Sequence, residues 1–118
     1  MPWPVEFCDE FEPEFLELSE EVQNELLANM LVLEESGPSL GRPVVGTLTG
    51  SKKYSNLKEL RFNKTNGVWR FLFAFAPNKK AIIFNGGNKS GKSEARFYKN
   101  QIKIAEKRFK KYLDEQKE

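Results

Sequence analysis

Two arginines, Arg61 and Arg70, flank a turn-rich segment, Asn63–Gly67, within sequence that otherwise reads as β-strand. In VWRFLFAF, the residues Trp69, Phe71, Phe73 and Phe75 alternate with Val68, Arg70, Leu72 and Ala74, so the strand has an aromatic face and a smaller face holding an arginine. In the preceding strand Leu60 and Phe62 form the apolar side, which leaves Arg61 with Leu57 and Glu59 on the other. A hairpin loop with an even number of residues, such as Asn66-Gly67 or Lys64–Gly67, sets Arg61 and Arg70 on one face, the one away from the rings. Neighbouring guanidinium groups repel each other and are suited to gripping a polyanion in bidentate fashion. The alternative is that both are ordinary solvated strand residues, paired with Glu59 or a helix carboxylate. Lys52, Lys53 and Tyr54 lie just before the strand carrying Arg61, in a flexible stretch that suits contacts to a phosphate backbone and equally suits plain solvation.

The chain contains no histidine, so any acid–base step falls to Asp, Glu, Lys, Tyr or Cys. Histidine-based nucleases and Ser-His-Asp hydrolases are excluded, and zinc sites are disfavoured. The single cysteine, Cys8, rules out an internal disulfide and a cysteine-rich metal site, and it fits a reducing cytosol. No metal and no cofactor is expected.

The elements that position these groups follow from the apolar pattern. Three consecutive strands, Leu57–Phe62, Val68–Ala76 and Ala81–Asn85, are joined by turns at Asn63–Gly67 and Pro77–Lys80. The aromatic face should be the core, because each ring removes on the order of 150–250 Å² from water. Pro4–Cys8 is a candidate first strand. A short helix starts at Asp9 with Pro13 in its first turn and Phe11, Phe15, Leu16 and Leu18 as its apolar side. Ser19 caps a second helix, with the stripe Val22, Leu26, Met30 and Leu33 widened by Leu27 and Leu31, and Gly37-Pro38 ends it. This helical hairpin is expected on the aromatic face with its carboxylates in solvent. Ser39–Asn56 reads as a long connector rich in Gly, Ser and Thr. Ser93 caps a final helix, Glu94 to about Gln116, striped by Tyr98, Ile102, Ala105, Phe109 and Tyr112 and flanked by Arg96, Lys99, Lys103, Lys107, Lys110 and Lys111.

Gly86 to Ser93, GGNKSGKS, satisfies the bare Walker pattern. Its context does not: a phosphate loop follows the first strand of a parallel βαβ unit, whereas this one follows hairpins near the end of a short chain. Nucleotide binding is therefore set aside.

The net charge of +2 conceals a division. Residues 1–36 carry −11, with eleven acids and no lysine or arginine, and residues 37–118 carry +13 from nineteen cations and six acids. The basic part suits nucleic acid; the two parts could equally neutralise each other within one fold. With 118 residues one domain spanning 1–118 is expected, and no secretory signal or apolar run long enough for a membrane span is apparent. A cytoplasmic location is the corresponding expectation.

NLKELRF, VWRFLFAF, the strand ending in GGNKSG and RFYKNQIKIA, together with the upstream LGRPVVGTLTGSKKYSN, resemble the phage-derived, HigB-like branch of the RelE/ParE toxin superfamily over roughly residues 5–113. The resemblance implies an α+β, RelE-like fold with an N-terminal helical hairpin and a C-terminal helix on a small twisted, mostly antiparallel sheet. It implies a type II toxin that cleaves mRNA at the ribosomal A site and is silenced by a cognate antitoxin, often a helix-turn-helix protein. Cleavage would run through attack of the ribose 2′-OH on phosphorus, giving a 2′,3′-cyclic phosphate. Carried over by motif, Arg70 in GVWRFLF is the transition-state arginine and Arg61 in ELR a second basic position. Lys89 in GGNKSG is a general acid or phosphate contact, and Tyr98 in RFY (with Phe97 as the alternative) stacks on a base or assists proton transfer. Lys52, Lys53, Tyr54, Lys58, Lys92 and Arg96 are the expected RNA-binding residues. Glu59 departs from the family, where a basic residue is common, and this leaves Lys53 or Lys58 to serve as base. Two other functions fit the same residues: a ParE-like gyrase poison, and a non-catalytic binding module whose Arg61, Arg70 and Lys89 point apart or are tied up in ion pairs.

Overall fold

The computed structural model describes residues 2–117. The elements in chain order are β1 (Val5–Phe7), α1 (Phe11–Leu16), α2 (Glu20–Ser36), β2 (Val45–Thr47), β3 (Lys58–Lys64), β4 (Gly67–Phe75), β5 (Ala81–Asn88) and α3 (Glu94–Gln116), with a 3-10 turn at Gly37–Ser39. They form one five-stranded sheet in the order β1-β5-β4-β3-β2. Only the β1–β5 pairing is parallel, so the mostly antiparallel α+β architecture expected from the sequence is the one observed.

The β3–β4 hairpin closes through Thr65-Asn66, between the paired Lys64 and Gly67. Both loop residues have positive φ, 48° and 60°, as a tight turn matched to strand twist requires. The loop is even, as the register argument demanded, although it sits one residue before Asn66-Gly67. The connector is not all loop: β2 forms within it and pairs antiparallel with β3, Val45 opposite Leu60. Ser19 and Ser93 cap α2 and α3 by accepting the amides of Val22 and Arg96.

The aromatic face packs on α1 and α2, with Phe11 meeting Phe71 edge-on at 5.9 Å between ring centroids. Trp69 and Phe75 sit at the rim, and the Trp69 indole nitrogen donates to the Lys64 carbonyl. The opposite face is not open, as the sequence reading had it. Leu57, Leu72 and Ala74 there are fully buried because α3 lies across them. A bulge between Leu72 and Phe73 leaves Phe84 of β5 outside the ladder, and its ring turns onto Phe109 of α3 at 5.0 Å. Next to it the buried Asn85 amide donates to the carbonyl and side chain of Gln101.

Two further expectations are corrected. Leu16, at 69% exposure, and Leu31, at 65%, face solvent, because the α1–α2 pair buries only a narrow stripe of Phe11, Phe15, Val22, Leu26 and Leu33. The carboxylates of α1 and its approach are not all solvated. Glu14 makes a paired contact with the Arg108 guanidinium, and Glu10 accepts from Lys111, so ion pairs tie α3 to α1 around the β1 edge of the sheet.

Candidate functional site

The site is built where β3 and β4 present their non-aromatic face beyond the cover of α3. Arg61 and Arg70 are direct cross-strand partners and therefore share that face. Like charges directly opposite destabilise a sheet, and here a carboxylate stands between them. Glu59, two residues before Arg61 and 6% exposed, places Oε2 3.7 Å from the Arg61 Nε and Oε1 3.9 Å from the Arg70 Nε. These are loose ion pairs, too long for hydrogen bonds. Arg70, 8% exposed, donates one terminal nitrogen to its neighbour's carbonyl at Trp69, 2.8 Å away. Its Nε is buried and, among the described residues, has no hydrogen-bond partner.

α3 brings Tyr98 over this cluster, where its hydroxyl donates to Glu59 Oε1 at 2.7 Å. Burial of the phenol, followed by the adjacent carboxylate, pushes its pKa up to about 12, so Tyr98 is protonated at neutral pH. Lys89, one residue past β5, pairs with Glu94 in the first turn of α3 and lies 5.5 Å from the centre of the Tyr98 ring. The hydrogen bond from Lys89 holds the Glu94 carboxyl below its ordinary range. From β2, Gly46 faces the cluster: a Cβ there would stand 3.1 Å from Glu59 Oε2 and 3.3 Å from Arg61 Cδ and Nη1.

Arg42, Gly46, Glu59, Arg61, Lys89 and Tyr98 line a cleft of about 400 Å³. Through Arg42 and Arg61 it adjoins a second hollow of about 450 Å³ that reaches Arg70. Along Gly50, Tyr98 and Ile102 it continues into a groove of about 560 Å³ bordered by Lys52, Lys53, Lys99 and Lys103. The cations along these hollows give this face a charge suited to a polyanion. Among the described residues no group of three or more His, Cys, Asp or Glu is placed to hold a metal.

Of the residues expected from sequence, Arg61, Arg70, Lys89 and Tyr98 come together, and Lys52 and Lys53 lie on the adjoining groove. Tyr54 does not reach the cleft; its ring packs on Phe109 at 4.7 Å. Lys58 belongs by strand alternation to the opposite face, opposite Phe73, and its Nζ reaches Thr47 Oγ1. Lys92 and Arg96 border a separate hollow beside Phe97 and Gln101, and Lys92 donates to the Asn88 carbonyl. Glu59, Gly46 and Arg42 were absent from the expected set. Glu59 was visible in principle, since alternation puts it beside Arg61.

A five-stranded sheet between an acidic helix pair and a basic helix, with cations on one face, defines a RelE-type fold. The structure superposes on a double arginine-to-alanine mutant of the E. coli toxin RelE in the free state with a TM-score of 0.62 and 17% identity, over 87% of this chain and 97% of that one. In sequence, this chain is 40% identical over 97 residues to HigB2 of Mycobacterium tuberculosis and 39% identical over 99 residues to HigB3 of the same organism, both named as toxins. These matches take in 81% and 84% of this chain, and 47% and 83% of the respective relatives, so the chain spans about half the length of HigB2. Residues 13–110 match the model of the phage-derived Gp49-like proteins. The chain belongs to that family, on the HigB-like side of the RelE fold.

Proposed function

We propose that this protein is the toxin of a type II toxin–antitoxin pair and that it acts as a metal-independent endoribonuclease on mRNA in the ribosomal A site. The observation that carries this reading is the pairing of Arg61 and Arg70 on one face, with the buried Arg70 Nε unpartnered. A phosphorane formed by attack of the 2′-OH carries one more negative charge than the diester. Donors fixed in a partly dried cleft stabilise that charge by about 3–4 kcal/mol each. Arg70 and Arg61 take this role. Lys89 supplies the proton to the leaving 5′ oxygen, its ammonium released from Glu94 as the phosphate enters. Tyr98 borders the cleft as a ring against which a base can stack. Lys52, Lys53, Lys99 and Lys103 guide the flanking backbone along the groove. The partner that silences it would be a cognate antitoxin, expected to carry a helix-turn-helix, and the place of action the cytoplasm. No described helix is long and apolar enough to cross a membrane.

The non-catalytic reading draws on the ion pairs of Arg61 and Arg70 with Glu59 and of Lys89 with Glu94. One experiment separates the two. Purified protein added to translating ribosomes should cut mRNA to ends bearing 2′,3′-cyclic phosphate, and Arg70→Ala should lower the rate on the order of 10²–10³-fold. Intact mRNA with the wild-type protein would reject the enzymatic reading.

A further inference from the structure

The cleavage chemistry needs a group that takes the 2′-OH proton, and the lysines nominated from sequence do not meet the site. Lys58 is on the other sheet face, and Lys53 lies on the outer groove. Tyr98 keeps its proton at neutral pH. Lys89 is a cation already paired with Glu94. Two carboxylates line the 400 Å³ cleft, Glu94 and Glu59. Glu94 is exposed and held by Lys89, whereas Glu59 lies against both arginines, and it is the residue that looked like a departure from the family.

We infer that Glu59 is the general base, using Oε2 while the Tyr98 hydroxyl pins Oε1. This rests on the endoribonuclease reading above. The two oxygens have different surroundings. Oε1 accepts the 2.7 Å hydrogen bond from Tyr98 and faces the Arg70 Nε. Oε2 accepts no hydrogen bond from the described residues and points toward Gly46, where a missing side chain leaves room to approach it. A Cβ at that position would come within 3.1 Å of Oε2, so glycine keeps the oxygen open to the cleft. The arginines on either side are too distant to occupy its lone pairs, yet near enough to hold a phosphate next to it. The carboxylate is thus fixed in rotation by one neighbour and left free to accept at the other end.

In the step itself the O2′–H proton passes to Glu59 Oε2 as the O2′–P bond forms. The P–O5′ bond breaks as Lys89 gives its proton to O5′. Glu59 ends protonated and Lys89 neutral, and exchange with water restores both. The charged and titratable groups facing Glu59 are Arg61 on its own strand, Arg70 on β4 and Tyr98 on α3, with Arg42, Lys89 and Glu94 around the cleft.

The test is single-turnover cleavage of mRNA on programmed ribosomes across the acidic to neutral range. Glu59→Gln keeps the shape and can still accept from Tyr98, but it cannot take a proton. The wild-type rate should rise with pH along an acid limb. Glu59→Gln should be slower by on the order of 10²–10⁴-fold and should lose that limb. It should bind mRNA carrying a 2′-deoxy sugar at the scissile position at least as tightly as wild type, because a negative charge has been removed beside the phosphate. Gly46→Ala, whose Cβ crowds Oε2 at 3.1 Å and the Arg61 side chain at 3.3 Å, should lower the rate on the order of 10²-fold. A Glu59→Gln rate close to wild type would overturn the assignment. So would a reduced rate that keeps the same acid limb, the behaviour of a residue that merely positions the arginines. If Glu59→Gln does not fold, a wild-type rate for Gly46→Ala overturns it instead. Should wild type leave mRNA intact, the endoribonuclease reading itself falls; should wild type cleave and Glu59→Gln match it, only the role of Glu59 falls.

Discussion

The adjacent glycines of the GGNK segment should respond in opposite ways to the same added methyl group. Gly86 lies on β5 directly opposite Phe71 of β4. A Cβ at Gly86 would sit 2.3 Å from Phe71 Cδ1, 2.5 Å from the Arg70 carbonyl oxygen and 2.8 Å from Phe71 Cα. Comfortable separation is roughly 3.5–4.0 Å, so each contact is short by about an ångström, and two of the three partners are backbone atoms that no rotamer change can move. Relief requires β4 and β5 to separate at the place where Arg70 is held. Overpacking a rigid core costs about 1–3 kcal/mol and occasionally more, and the backbone clash puts Gly86→Ala at about 3 kcal/mol or above. At Gly87 the same Cβ would meet Gln101 and Phe97 at 3.7 Å, an ordinary contact. Gly87→Ala should therefore be neutral, or more stable by about 0.5 kcal/mol because the unfolded chain loses freedom. Urea unfolding followed by circular dichroism measures both. With a slope of about 1.5 kcal/mol per molar, Gly86→Ala should lower the midpoint by about 2 M, and Gly87→Ala should leave it in place. Equal midpoints for Gly86→Ala and wild type would show that the strands are not packed as closely as described, and with them the placement of Arg70.

Tyr98 keeps its proton to about pH 12 in the native state, against an ordinary value of 10, so the folded protein binds more protons than the unfolded one between those values. The stabilisation is present in full below pH 10 and lost as pH rises toward 12. Phenolate absorbance should show one of the three tyrosines titrating late, and Tyr98→Phe should abolish that step; three tyrosines titrating together would contradict the buried hydroxyl. Lys99 and Lys103 border the outer groove, and each alanine replacement should weaken single-stranded RNA binding regardless of sequence. It should also flatten the plot of log affinity against log salt by about 0.7, the share of one phosphate contact, in filter-binding titrations. An unchanged slope would remove that lysine from the path of the strand.

The hairpin was legible because side-chain alternation has a period of two and the loop is even; Leu60, Phe62 and the aromatic row then leave Arg61 and Arg70 no choice of face. The helix caps at Ser19 and Ser93 were legible for an equally local reason, a hydroxyl three residues before an orphan amide. The cover over the second face was less so. Its sign was present: Leu57, Leu72 and Ala74 are apolar residues on the face assigned to solvent, and the stripe of α3 needed a partner. Nothing local connected the two, since the contacts depend on the bulge that turns Phe84 toward Phe109. Glu59 was hidden differently. Its charge is wrong for a phosphate site when taken residue by residue, and its meaning depends on Tyr98, thirty-nine positions later in the chain. The carboxylates of Glu10 and Glu14 were assigned to water because their partners, Lys111 and Arg108, are also remote in sequence.

The order in which the cleft is assembled follows from where Tyr98 is encoded. Strands β3 and β4 can pair early, but the phenol that seats Glu59 arrives with α3, the last of the described elements. The same helix supplies Arg108 and Lys111, which fasten the two ends of the fold together. A nascent chain whose α3 has not yet emerged therefore carries the arginine pair without a finished pocket around it.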